Sequence, residues 1–295
     1  MNFWRIYNSQ LYNVGEVDKL GFNDQDASYI PDEYLDKQNF VVLRTCFGYG
    51  DWGLITAMPR LLKQKYPTCK VYIPTVTLLE QLFGKRDLFD TTYADVISLF
   101  DNNPYVDGTT SNVTDDIFHD HYRIYSESTE DVPLLEQMLK FWQFSNNELS
   151  DSQPELYWSI DEVNLGNTII QTYVGNAEYG ALLISNRFGT QFGKNDEHVL
   201  HNDTTKISSL LMENDYPYFY WTYKPINQTP FNFITKALDM HNMPLRMQLY
   251  IKSKAKINIA NQCGTNHIIV RYSDTYEIQR QSILGLNFVK GINYL

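Results

Sequence analysis

Two spacings of apolar residues alternate between residues 40 and 73. Residues 40–43 form a short apolar run, which predicts a buried strand. A glycine-rich turn follows, and apolar residues then recur at helical spacing over residues 54–62. Pro59 lies inside this predicted helix and is expected to bend it or to mark a tightened first turn. Residues 70–73 are the next apolar run, so the segment predicts a βαβ unit with parallel strands and a right-handed crossover.

The same alternation continues along the rest of the chain. The predicted strands are 95–99, 181–184, 218–221 and 257–260. The predicted helices are 76–83, 133–144, 207–212, 231–240 and 247–255. Turns are predicted at 103–108 and 261–266, a polar loop at 186–203, and a strand or a helix from residue 267. Residues 1–38 show no clear period and predict an irregular extension with room for a short strand or helix.

A polar stretch at residues 145–155 separates two α/β halves of similar size and predicts a domain boundary. We expect an N-terminal extension at 1–38, a first domain at 39–155 and a second domain at 156–295. The fold predicted is α/β, with two Rossmann-like domains and a cleft between them. Ligands of such sheets bind beyond the carboxyl ends of the strands. The glycine-bearing turns in the two halves both follow strands, so both are expected to face the cleft.

The net charge of the chain disfavours one class of binding partner. The 295 residues carry a formal net charge of −11. A general nucleic-acid binder needs cations that displace counterions from phosphates, so this acidic balance disfavours nucleic acid as a general partner. Lys252, Lys254 and Lys256 form the clearest basic cluster. We interpret them as a solvated edge, although they keep a DNA acceptor open.

Cysteines and histidines give little support for a metal. Cys46, Cys69 and Cys263 are odd in number and form no CxxC pair, which argues against a disulfide framework and a structural zinc site. His119 and His121 alone are weak evidence, and an Asp-x-Asp spacing at 24–26 lies in the irregular extension. We therefore predict no metal. The chain shows no signal-peptide core and no transmembrane run, which predicts a cytoplasmic protein.

The turn Gly48-x-Gly50-x-x-Gly53 matches the dinucleotide-binding fingerprint and lies between a strand and a helix. A nicotinamide cofactor would need an acid at the end of the following strand to hold its ribose, but Ile73-Pro74-Thr75 stands there. A nicotinamide enzyme and a tight turn without a ligand both stay open. Asp51 in this turn has two interpretations: it caps the helix, or it is a general base to which the glycines give a substrate access.

Several short motifs fall in a fixed order along the chain. The first half contains Val42-Leu43-Arg44, Gly50-Asp51, Thr56-x-x-Pro59, Tyr66-Pro67 and Pro104-x-Val106-Asp107; the second half contains Gln262-Cys263-Gly264-Thr265-Asn266-His267. This order resembles the heptosyltransferase-like glycosyltransferases (family 9, GT-B fold), whose donor motif reads Asp-Ser/Thr-Gly-x-x-His. Gly264 and His267 match that motif, whereas Gln262 and Cys263 replace its acid and its hydroxyl residue.

The resemblance implies an inverting glycosyltransferase that uses neither a metal nor a cofactor. It would move a sugar from a nucleotide-sugar donor to a hydroxyl acceptor, with Asp51 as the base. Trp52 would either stack on the acceptor or pack against other side chains of the protein. The residues that the resemblance places at the donor are Gly50, Arg187, Lys194, Gln262, Gly264, Thr265, Asn266 and His267.

The acceptor stays open between a glycan, a protein and a modified base in viral DNA. Two other functions also stay open. One is a nicotinamide-dependent oxidoreductase that uses the glycine turn. The other is a non-catalytic relative that keeps the fold and binds a glycan, a nucleotide or a partner, because Gln262 replaces the acid of the donor motif.

Overall fold

The chain forms two compact units in the computed structural model. The first unit comprises Met1–Tyr157 and Leu286–Lys290, and the second comprises Trp158–Gly285 and Gly291–Leu295. The first crossing between the units therefore lies close to the polar stretch 145–155. The structure describes residues 4–7, 10–13, 39–44, 49–84, 92–111, 117–118, 136, 144–184, 209–210, 213, 215–222, 237–239, 243–261, 264–278 and 289–294.

The first unit contains an antiparallel hairpin and a parallel sheet. The hairpin pairs β1 (Trp4–Tyr7) with β2 (Gln10–Asn13). The sheet strands are β3 (Asn39–Val41), β4 (Lys70–Pro74), β5 (Gly108–Thr110) and β6 (Ile117–Phe118), in the order β5-β4-β3-β6. The helices are α1 (Tyr49–Leu54), α2 (Met58–Lys65), α3 (Val76–Phe83) and α4 (Tyr93–Ser98), with 3₁₀ turns at Ile55–Ala57 and Glu148–Asp151.

Strands β3 and β4 confirm the predicted βαβ unit. They are parallel, with Phe40 opposite Val71, and both side chains are buried. Between them the chain passes from α1 through the 3₁₀ turn Ile55–Ala57 into α2, and Pro59 lies at the start of α2. The first turn of a helix needs no N–H from its residues, so Pro59 is accommodated there without breaking the helix. Of the two predicted outcomes, the structure shows the tightened turn.

The second unit is built on a six-stranded parallel sheet. Its strands are β7 (Gly180–Ile184), β8 (Tyr218–Thr222), β9 (Ala237–Asp239), β10 (Ile257–Asn261), β11 (Asp274–Ile278) and β12 (Ile292–Tyr294), in the order β12-β11-β10-β7-β8-β9. Its helices are α5 (Ile160–Val174), α6 (Leu245–Lys254) and α7 (Gly264–Ile269). Parallel sheets flanked by helices in both units confirm the predicted α/β class.

Helices α5 and α6 pack closely against each other in the second unit. Helix α5 begins with a capping box of Ser159 and Glu162, and Glu162 also accepts a 2.9 Å hydrogen bond from Arg246 Nη2 on α6. Gly166 lies directly against the buried ring of Tyr250, where a side chain would overlap the ring. The glycine therefore sets how closely the two helices approach.

Two predicted elements are wrong. Residues 95–99 were predicted as a strand, but residues 93–98 form α4, because Thr92 and Asp95 make a capping box that starts a helix. The helix predicted at 231–240 contains strand β9 instead, which pairs in parallel with β8. Pairing at the sheet edge here overrides the local apolar pattern.

The chain returns to the first unit near its end. Val289 is buried, the Gln153 side-chain amide donates a 3.3 Å hydrogen bond to the carbonyl of Lys290, and the Lys290 ammonium pairs with Glu136. The chain then enters β12 of the second unit. The predicted helix 133–144 lies mostly outside the described residues, as do the loop 186–203 and most of the predicted helix 207–212.

Candidate active site

Asp51 lies in the first turn of α1, just beyond the carboxyl end of β3. Its side chain is 20% exposed, and its Oδ1 lies 3.4 Å from Nη2 of Arg44, which is fully buried. A guanidinium taken out of water needs an anion beside it, because an unpaired buried charge is costly. Arg44 therefore holds the Asp51 carboxylate at the edge of the sheet while leaving part of it accessible.

This pairing is compatible with acid–base chemistry at Asp51. A nearby positive charge favours the ionised carboxylate, which is the form that can accept a proton. Arg44 also limits the positions that the carboxylate can take, which a base needs if it is to meet a bound hydroxyl. Arg44 entered the sequence analysis only as part of a motif, and its pairing with Asp51 is what the structure adds.

Trp52 and Gly50 lie on the same helix as Asp51. Trp52 is buried, and Gly50 is half-buried. Trp52 is 1% exposed and its ring meets Phe100 edge-on at a centroid distance of 6.3 Å. The structure thus favours the packing interpretation of Trp52 over stacking on an acceptor. Gly50 is half-buried within α1, next to Asp51.

Thr56 and Arg60 fasten the segment before the unit boundary to the first unit. Thr56 Oγ1 donates a 2.8 Å hydrogen bond to the carbonyl of Gly53 and accepts one of 2.9 Å from the Glu155 N–H. Arg60 Nε pairs with the buried carboxylate of Glu155 at 2.8 Å, and Arg60 Nη2 donates to the carbonyl of Asp151 at 2.6 Å. Both side chains are therefore explained by structure alone, without a ligand.

Asp107, which ends the Pro-x-Val-Asp segment, also has a structural role. It accepts a 2.8 Å hydrogen bond from the Val71 N–H and pairs with Lys63 at 2.6 Å and with Lys70 at 3.1 Å. Burial acts to raise the pKa of this carboxyl, but the hydrogen bonds from Lys63, Val71 and Lys70 outweigh it and lower the pKa to about 2. Asp107 thus fixes α2 to the start of β4.

The Gly264–His267 motif of the second unit forms the start of α7, close after the carboxyl end of β10. The Lys252 ammonium donates hydrogen bonds to Thr265 Oγ1 at 3.0 Å and to Asn266 Oδ1 at 2.8 Å. Lys252 is 2% exposed, so its interpretation as part of a solvated edge is wrong. It follows Leu249 at helical spacing on the buried face of α6, and that spacing could have revealed it.

His267 lies beside a buried carboxylate. Its Nε2 is 3.2 Å from Oε1 of Glu277 on β11, and the two side chains are 5% and 0% exposed. Glu277 belongs to none of the motifs in the sequence, because its partner lies on another element. Four predicted residues, Gly264, Thr265, Asn266 and His267, thus lie together at the start of α7. Thr265 and Asn266 contact Lys252, and His267 contacts Glu277.

Some predicted site residues lie outside the described residues. These are Arg187, Lys194 and Gln262, together with His119, His121, Cys46 and Cys263. Cys69 is a buried thiol that forms no disulfide. Among the described residues, no group of three or more His, Cys, Asp or Glu side chains could hold a metal ion. No helix in the described part of the chain has the length and apolar character needed to cross a membrane.

A cavity of about 700 Å³ lies at the opposite edge of the second sheet. Lys254, Lys256 and Arg271 are among its lining residues, with Glu178 and Asp274, and they lie near the amino ends of β7, β10 and β11. None of the predicted site residues lines it. Ligands of parallel sheets usually bind beyond the carboxyl ends of the strands, which is the edge where α7 begins.

Comparison with known proteins gives weak structural similarities over most of the chain. No protein-family model and no curated protein sequence matches it. E. coli heptosyltransferase WaaC with ADP is 10% identical, with 87% of this chain and 92% of that chain covered and a TM-score of 0.47. A glycosyl transferase of family 9 from Veillonella parvula is 10% identical, with 89% and 86% covered and a TM-score of 0.46. E. coli ADP-heptose lps heptosyltransferase II is 8% identical, with 87% and 90% covered and a TM-score of 0.46.

Proposed function

We propose that the protein is an inverting glycosyltransferase that moves a sugar from a nucleotide-sugar donor to a hydroxyl acceptor without a metal. The observation that supports this most directly is Asp51, a partly exposed carboxylate held by buried Arg44 at the carboxyl end of β3. The proposal includes a cytoplasmic location and a glycan or another hydroxyl compound as acceptor.

Asp51 is assigned the role of base. As the acceptor oxygen attacks the anomeric carbon, its proton passes to the Asp51 carboxylate and the bond from the sugar to the diphosphate breaks. Attack from the face opposite the leaving group inverts the anomeric configuration. A carboxylate held by Arg44 is suited to this step, because it does not have to be reoriented when the acceptor binds.

The second unit is assigned the donor. Gly264 presents no side chain at the start of α7, which leaves its backbone open to a diphosphate, and Thr265, Asn266 and His267 follow directly. Lys252 adds a cation next to these residues. Positive charge and N–H donors are what a departing diphosphate requires in the absence of a metal. Arg187, Lys194 and Gln262 remain assigned to the donor by the motif resemblance.

The nicotinamide alternative finds no support at the end of β4. That strand ends at Pro74, and the Thr75 hydroxyl is already engaged in accepting a hydrogen bond from the Leu78 N–H as the cap of α3. The first carboxylate after the strand is Glu80, in the second turn of α3. Residues 74–79, all of which the structure describes, therefore place no acid at the strand end to hold the ribose hydroxyls of a dinucleotide.

The first test is a thermal-shift panel of ADP, GDP, UDP, CMP and NAD. A ligand that binds the native state raises the melting temperature, by an amount that grows with ligand concentration relative to Kd. We expect a nucleoside diphosphate to give the largest shift. A shift with NAD alone would exclude the transferase proposal.

The second test replaces the base. We expect Asp51→Asn to keep the diphosphate shift and to lower sugar transfer, or donor hydrolysis with water as acceptor, by about 10²-fold or more. Asp95→Asn is the matched control, since Asp95 is also a carboxylate in the first turn of a helix of the same unit. It should lower the melting temperature and leave turnover unchanged. Unchanged turnover in Asp51→Asn would exclude Asp51 as the base and leave the interpretation that it caps the helix. Diphosphate binding without turnover in the wild-type protein would favour the non-catalytic alternative.

A further inference from the structure

A cavity of about 700 Å³ in the second unit has the size of a ligand site, since sites for small molecules usually measure about 300–1,000 Å³. It is called the amino-edge cavity below, because it lies at the amino ends of the strands. Its lining residues are 176–179, 254–256, 270–274 and Gly291, all within the second unit. None of them belongs to the site assigned to sugar transfer, so a ligand bound here would be additional to the donor and the acceptor.

Helices α5, α6 and α7 all end beside the amino-edge cavity. The C-terminus of a helix carries a partial negative charge, which nearby cations offset. Lys254 lies in the last turn of α6, and Lys256 pairs with Glu178 at 3.6 Å. Two of the three basic lining residues are thus balanced within the protein, which disfavours a strongly anionic ligand.

The lining offers hydrogen-bond donors and acceptors together. The Asp274 carboxylate accepts, the Lys254 ammonium donates, the Asn176 amide does both, and all three residues are exposed. A phosphate needs donors alone, and a metal ion needs acceptors alone. A sugar hydroxyl both donates and accepts, so a mixed lining suits a row of hydroxyls better than it suits an ion.

Tyr272 adds an aromatic ring to the same lining. In the part of the chain that the structure describes, four large hydrophobic residues are exposed, and Tyr272 is the one of the four that lines the cavity. A tyrosine ring is a rigid apolar surface with a polar tip, and the C–H face of a sugar ring packs against such a surface.

We propose that the amino-edge cavity binds an uncharged glycan. Tyr272 contacts the apolar face of one sugar ring, and Asn176 and Asp274 bind hydroxyl groups at its rim. The polar groups fix the orientation of the sugar and the aromatic ring supplies contact area. Such binding does not depend on the proposed function.

Saturation-transfer difference NMR with neutral trisaccharides tests the proposal. The probes are maltotriose, cellotriose, mannotriose and chitotriose, with inorganic pyrophosphate as the anionic comparison. We expect at least one trisaccharide to bind with a Kd of about 10 mM or below. Because this ligand is uncharged, its Kd should change by less than about twofold when salt is added to about 0.5 M. Binding of pyrophosphate alone, or of none of the probes, would overturn the proposal.

Substitutions in the lining locate the bound trisaccharide. Tyr272→Ala and Asp274→Ala should each raise its Kd at least about fivefold, whereas Tyr272→Phe keeps the ring and should stay within about twofold of wild type. Tyr173→Ala is the matched control, because it removes another exposed tyrosine of the second unit that does not line the cavity. It should leave the Kd unchanged. If Tyr272→Ala does not fold, Asp274→Ala decides the question.

The outcomes separate this site from the proposed active site. A trisaccharide that binds equally well to wild type, Tyr272→Ala and Asp274→Ala occupies another site, which would overturn the glycan site in the cavity and leave the proposed function intact. An equal loss of affinity in Tyr173→Ala would show a general effect on the fold and would also overturn it. Binding that is lost in Tyr272→Ala, in a protein that transfers no sugar, would refute the proposed function and support the glycan site.

Discussion

Replacing Gly166 by alanine has two opposing effects on the stability of the second unit. Gly166 lies inside α5, where alanine is favoured over glycine by about 1 kcal/mol through helix propensity. A Cβ at this position, however, would lie 2.1 Å from Cδ1 and 2.4 Å from Cε1 of Tyr250. Non-bonded carbons need about 3.5 Å, so at least one of the two helices or the ring would have to move by more than about 1 Å.

The ring of Tyr250 has little freedom to move. It is 1% exposed, its hydroxyl donates a 2.8 Å hydrogen bond to Asn167 Oδ1, and it meets Trp158 edge-on at 5.3 Å. Overpacking a site of this kind costs about 1–3 kcal/mol, and the fixed ring places this site in the upper half of that range, above the gain in propensity. After about 1 kcal/mol is subtracted for propensity, we expect Gly166→Ala to destabilise the second unit by about 1–2 kcal/mol.

Urea denaturation followed by far-UV circular dichroism measures the effect. Asn164→Ala, at an exposed position of the same helix, is the control and should be neutral or slightly stabilising. The double variant Gly166→Ala/Tyr250→Leu should recover part of the loss, because leucine leaves room where the ring was. If Gly166→Ala is at least as stable as wild type, the close contact between α5 and α6 is refuted.

Two further predictions concern ion pairs of the first unit. Asp107→Asn should lower stability at pH 7 by about 1–2 kcal/mol, after allowance for screening of the exposed Lys70 pair. Because the folded pKa lies below the ordinary value of 3.8, this stabilisation is complete above pH 4 and lost towards pH 2, so the melting temperatures of variant and wild type should converge on acidification. Arg60→Met should cost about 3–5 kcal/mol by leaving Glu155 buried without its guanidinium, and Arg60→Met/Glu155→Gln should recover much of that loss in urea denaturation.

The sequence predicted elements wherever a local pattern and a tertiary role agreed. The buried strands β3, β4, β7, β8 and β10 are short apolar runs, and parallel pairing with helices on the faces is what such runs require. Helix α4 was predicted as a strand because the apolar pair Val96-Ile97 is typical of a short buried strand. The capping box that begins with Thr92 was not recognised. Strand β9 was missed because its conformation depends on pairing with β8, which no local pattern reveals.

The candidate site was predicted in the residues of its short motifs and missed in the residues that contact them. Asp51 and His267 were identified from short motifs. Their partners, Arg44 in the segment after β3 and Glu277 on β11, lie outside α1 and α7. Only the fold brings the two pairs to 3.4 Å and 3.2 Å, respectively. Lys252 was predicted to be exposed because two lysines follow it closely in the sequence. It lies on the buried face of α6 instead.

The return of the chain to the first unit near residue 290 has a consequence for biosynthesis. Synthesis on the ribosome is vectorial, and domains formed from one continuous segment complete their packing while later segments are still being made. Here the buried position of Val289 is filled, and Lys290 meets Gln153, only after nearly the whole second unit has been translated. The packing of the first unit therefore stays incomplete for much of translation. A fragment that ends at residue 157 would lack the contacts that Val289 and Lys290 make.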